Sequence, residues 1–92
     1  MYLHLGQDTV IKVNEIVGIF DMETSTISKE SRNYLADAQK SGNVVNVSME
    51  LPKSFIVCNE DNREIVYISQ ISVATLIKRL DTQRKSNIRN LK

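Results

Sequence analysis

Ninety-two residues, 41% hydrophobic and 25% charged, suffice for one small domain with a modest core and exclude a second. A net charge of +1 hides an asymmetry: residues 78–92, KRLDTQRKSNIRNLK, set six basic side chains against Asp81 and carry +5, leaving −4 on the rest. One cysteine, one histidine and three ungrouped glycines exclude an internal disulfide, a cysteine-rich zinc site and a glycine-rich phosphate loop.

The opening MYLHLGQD has neither a basic start nor a long apolar middle, so a signal peptide and a membrane span are not expected and a cytoplasmic location is. The sequon at Asn46 then has no meaning. In MYLHLGQDTVIKV, Leu3 and Leu5 alternate with Tyr2 and His4, GQD makes a turn, and Val10 to Val13 continue extended, which predicts a hairpin. His4 faces away from the leucines and has no acidic or cysteine partner at a metal or catalytic spacing, so it reads as a surface ring.

EIVGIFD, residues 15–21, is a strand with apolar groups on both faces. The period then changes: Ile27, Ser31, Tyr34, Leu35 and Ala38 share one helical face, while Lys29, Glu30, Arg32, Asp37 and Lys40 ring the other. Ser28 as cap and Gly42 as the left-handed closing residue bound a helix over about 28–41. NVVNVSM and SFIVCN are extended runs joined across ELPK, where Pro52 lacks an amide hydrogen and makes a stiff corner that presents Lys53. Cys58 lies inside the second run and reads as core. EDNRE turns the chain into IVYIS, completing a hairpin over 54–69. Val73, Leu76, Ile77 and Leu80 follow at helical spacing behind Ser72, predicting a C-terminal helix over about 72–81. Beyond it no apolar stripe continues, so residues 1–81 read as the domain and 82–92 as a basic, flexible tail. That tail either attracts a polyanion or is a solvated end.

The expected fold is α+β: a small, mostly antiparallel sheet of four to five strands with these two helices. Three segments, 16–20, 55–58 and 65–68, are apolar on both faces, and two helices cover about one face of such a sheet. Either copies of the chain cover one another or the sheet curls into a small barrel. No catalytic or metal-binding set emerges from the scattered carboxylates, and Glu60-Asp61 beside Arg63 reads as solvated turn charge. An enzyme and a cofactor are therefore not expected.

The blocks MYLHLG, VNEIVGIFD, SGNVVNVS, PKSFIV and ISVATLIKRL, in this order over residues 1–80, resemble the extracellular matrix regulatory proteins, the small bacterial Rem family, and PKSFIV is similar to its RemB branch. The resemblance implies a DNA-binding regulator of biofilm matrix genes, built as a homo-oligomeric ring from subunits like half of a LytTR-type unit. In the RemA branch, consecutive arginines before the strand matching SFIVCN grip DNA; the matching positions here are Glu50 and Leu51, then Pro52, and only Lys53 matches a basic residue. The expected DNA contacts are Lys53, Arg79, Arg84 and Lys85, with Lys53 as either a reading head or a solvated lysine. Expected partners are further copies of the chain and double-stranded DNA, with no membrane. The alternative is an interaction module that binds a protein partner and has lost direct DNA binding.

Overall fold

The computed structural model describes residues 1–23 and 28–90, with side chains described as far as residue 83. Six strands form two sheets: β1 (Tyr2–Gly6) pairs with β2 (Thr9–Lys12), and a four-stranded sheet has the order β3 (Ile16–Asp21), β5 (Ser54–Glu60), β6 (Arg63–Ser69), β4 (Val44–Asn46). Its β3–β5 and β5–β6 pairs are antiparallel and its β4–β6 pair is parallel. The expected α+β class with a mostly antiparallel sheet is what the chain forms.

The hairpin over 54–69 closes through Asp61 and Asn62, both at positive φ, with Glu60 opposite Arg63. A two-residue loop with this backbone has the twist that continues a right-handed sheet, and Asp and Asn tolerate it better than other side-chain-bearing residues. α1 (Lys29–Lys40) starts where Ser28 Oγ accepts from the Ser31 amide at 3.1 Å. It ends at Gly42, φ +74°, with the Gly42 and Asn43 amides bonded to the Gln39 and Ala38 carbonyls. Those two bonds satisfy carbonyls the helix would otherwise leave open and release the chain into β4. The expected helix thus stands, except that Ile27 lies outside the described residues.

A 12-residue helix is about 18 Å long, and four strands span about 14 Å, so α1 can carry the chain from edge strand β3 to edge strand β4 across one face. Beneath it lie Phe55, Val57 and Val66, with Tyr34, Leu35 and Ala38 of the helix packed on them. The opposite face carries Ile56 and Cys58, both fully buried against Leu3, Leu5 and Ile11 of the β1–β2 hairpin and Leu76 of α2 (Val73–Asn90).

Here the structure corrects the surface bookkeeping made from sequence. The first hairpin folds back as a separate layer and, with α2, covers the face that two helices alone would leave bare. The sheet stays open, with β3 and β4 as edges, and does not curl into a barrel. β4 lies beside β6 and not beside the β5 that follows it. α2 begins as expected, the Thr75 amide bonded to Ser72 Oγ at 3.2 Å, and runs nine residues past its expected end at 81. No helix among the described residues is long and apolar enough to cross a membrane.

Two buried serines lock the layers. Ser54 and Ser69 face each other where β5 and β6 meet α2, both fully buried. Ser54 Oγ donates to the Ile71 carbonyl at 2.7 Å; Ser69 Oγ donates to the Leu5 carbonyl at 2.7 Å and accepts from the Ile71 amide at 3.0 Å. A buried hydroxyl used in both directions costs little to bury and fixes where the hairpin sits on the sheet.

Candidate nucleic-acid interface

Lys53 is exposed, and its position is set by its backbone: its amide donates to the Ser69 carbonyl at 2.8 Å and its carbonyl accepts from the Met22 amide at 2.9 Å. Pro52 ends the connector and Lys53 re-enters the sheet, so the ammonium is displayed from a fixed backbone at the end of β5. Arg79 is differently employed. Its Nη1 donates to the His4 carbonyl at 3.0 Å, tying α2 to the first hairpin, while His4 itself is exposed with Nε2 2.7 Å from the Gln7 carbonyl. His4 is thus the surface ring expected from its strand position.

Arg84 and Lys85 lie on the helical backbone of α2, and their side chains are outside the described residues. Lys53 and Arg79 are anchored to different elements, one to the ends of β3 and β6 and the other to β1, and no described contact joins them. The segment expected to fray is helical to Asn90, so Lys78, Lys85 and Arg89 recur along one helix at i, i+7 and i+11, a spacing that returns to the same face.

The connector 47–53 holds what sequence reasoning passed over. Met49 is wholly exposed and Leu51 is 82% exposed, on either side of Glu50. Two apolar residues spaced i, i+2 beside a proline outside any strand carry that signal in the sequence. Between β3 and α1 a second apolar feature opens: Val17, Phe20, Tyr34, Phe55 and Val57 line a groove of about 300 Å³, with Glu30 and Ser31 at its rim. Val17 is the extra residue of a bulge between Ile16 and Gly18 and is 67% exposed. Phe20 stacks on Phe55 with ring centroids 4.8 Å apart and lies over Gly18, where a Cβ would come within 2.7 Å of its ring.

Cys58 is buried, and that burial, with Glu60 and Glu15 nearby, pushes its thiol up to about 12, so it stays protonated at neutral pH. Burial and then a hydrogen bond to Glu60 also push the Tyr67 phenol well up. Among the described residues no group of three or more His, Cys, Asp or Glu side chains could hold a metal ion.

Residues 2–80 match the family model described as Extracellular matrix regulatory protein A-like. Over 79 residues the chain is 38% identical to Extracellular matrix regulatory protein B of Bacillus subtilis (strain 168), an alignment covering 86% of this chain and 89% of that protein. The matched span runs from β1 into α2 and takes in both layers of the fold, the Pro52 connector and Arg79. On that extent and identity, the chain belongs to the RemA-like family of extracellular matrix regulatory proteins.

Proposed function

We propose that this chain is a DNA-binding transcriptional regulator of extracellular-matrix genes that acts as an assembly of copies. The observation that carries the reading is the +5 segment 78–92, most of it on one continuous helix, in a chain whose relative is named an extracellular matrix regulatory protein. Each phosphate neutralised by a lysine or arginine releases condensed counterions, so binding is driven by entropy and weakens steeply with salt. Lys85 and Arg84 act on backbone phosphates from α2, Lys53 acts from the sheet end, and Arg79 contributes through the donors that His4 leaves free. One copy offers few contacts, and a ring repeats them along one rim, so that weak single contacts add.

The test is titration of the purified protein with promoter-length duplex at low and at physiological salt. Binding at low salt that weakens on adding salt, and weakens on all sequences alike in Lys85→Glu, supports the reading. No binding at low salt ends it.

A second reading has its own observation. Where the RemA branch carries consecutive arginines, this chain displays Glu50 and Leu51, and Leu51 stands almost wholly in water. That change favours an interaction module working through a protein partner, and recovery of a stable protein partner without nucleic acid from the native cell would select it.

A further inference from the structure

Met49 and Leu51 occupy a place in the fold that water does not favour. A side chain of either kind is better off buried than exposed, yet both project from the connector between β4 and β5. On the same molecule, the groove between β3 and α1 exposes Val17 and Phe20 and has a volume of about 300 Å³. A dry cavity of about 150 Å³ accepts a benzene ring, so this groove has room for the ends of two aliphatic side chains. The connector does not fill its own molecule's groove, since Met49 is entirely exposed and the groove's walls come from β3, β5 and α1 alone.

Charge fixes the direction of a fit. The connector reads Met49-Glu50-Leu51-Pro52-Lys53, with an acid and a base either side of the Leu51-Pro52 corner. The first turn of α1 at the groove's rim carries Lys29 and Glu30, a base and an acid. One docking direction sets Lys53 toward Glu30 and Glu50 toward Lys29, and the reverse sets like charges together. Rim charges of this kind select partner and orientation more than they add affinity.

We propose that Met49 and Leu51 of one copy seat in the β3–α1 groove of a second copy, joining copies head to tail. The proposal rests on the assembly of copies in the reading above and names the two surfaces that make it. Each copy has one knob and one groove, so the contact is heterologous: it repeats from copy to copy and ends only when a ring closes. It also places Lys53 at every junction, beside the seated Leu51, where Glu30 of the next copy competes with phosphate for its ammonium.

The experiment is light scattering coupled to size exclusion at micromolar concentration, on the full chain and two variants. Met49→Asp/Leu51→Asp removes the knob, and Val17→Asp, at a bulge residue already mostly in water, spoils the groove. The full chain runs as a multi-copy particle, each variant as single chains with an unchanged far-ultraviolet circular dichroism spectrum, and an equimolar mixture of the two as a particle of two chains. That last species forms because each mixed pair still has one intact knob facing one intact groove. Variants that keep the full chain's mass overturn the knob-and-groove contact and leave the assembly of copies standing. Variants that become single chains and do not pair when mixed overturn the head-to-tail geometry. A full chain that is itself a single chain overturns both.

Discussion

Replacing Ser69 with alanine tests how the two layers are joined. Ser69 is fully buried, and its hydroxyl makes two hydrogen bonds, to the Leu5 carbonyl at 2.7 Å and from the Ile71 amide at 3.0 Å. The substitution adds no bulk and leaves a carbonyl and an amide without these partners. Each buried unsatisfied group costs about 1–3 kcal/mol, so the loss should fall at roughly 2–6 kcal/mol if no water enters. In a domain of this size about 1 kcal/mol moves the melting midpoint by about 4–8 °C, which puts the expected drop at about 8 °C or more. Ser54→Ala, which removes a single bond to the Ile71 carbonyl at 2.7 Å, is the control and should cost about half as much. The assay is urea denaturation followed by far-ultraviolet circular dichroism at one fixed protein concentration, because association of copies shifts apparent stability. A Ser69→Ala loss below about 1 kcal/mol, or one no larger than that of Ser54→Ala, would refute the view that this hydroxyl locks hairpin to sheet.

Gly18→Ala places a methyl group against the Phe20 ring, 2.7 Å from its nearest atom, and should displace the ring from Phe55; an overpacked site costs about 1–3 kcal/mol, measured by the same urea denaturation. Cys58 should resist a thiol reagent at pH 8 in the native state and react promptly in denaturant. Burial pushes its thiol up to about 12 in the folded chain, from the 9.0 usual for a free thiol, so the unfolded chain loses the proton first. Stability should therefore be level below pH 9 and fall as pH rises from about 9 toward 12, a decline that Cys58→Ala reduces. Arg79→Ala removes the bond to the His4 carbonyl and should lower stability by about 0.5–1.5 kcal/mol. Lys85→Glu should weaken duplex binding and lower the slope of log K against log salt by about one to two.

What could be read from the residues was whatever is decided locally. The Asp61-Asn62 turn, the Ser28 cap, the Gly42 closure and the Ser72 cap are each fixed by a few neighbouring residues, and the elements they bound formed. The placement of β4 beside β6 was not legible, because a three-residue strand carries almost no periodicity and its partner lies more than twenty residues away. Nor was the role of the first hairpin. Leu3, Leu5 and Ile11 show which face is buried, but what buries it shows only in long-range contacts, with Ile56, Cys58 and Leu76 and through the Ser69 to Leu5 bond, 64 residues apart. The extension of α2 escaped because the reading relied on an apolar stripe, and residues 82–90 form helix without one. Of the expected DNA contacts, Lys53 was legible as displayed because proline sets the corner before it. The engagement of Arg79 depends on a backbone carbonyl 75 residues distant, which no local pattern reveals.

The most direct measurement is the mass and stoichiometry of the full chain mixed with promoter-length duplex at low salt, by light scattering on the eluting species. A DNA-binding assembly of copies gives a multi-copy protein particle that takes up duplex as a unit and releases it, still assembled, when salt is raised. Protein eluting as single chains, with the duplex running free beside it, would contradict it.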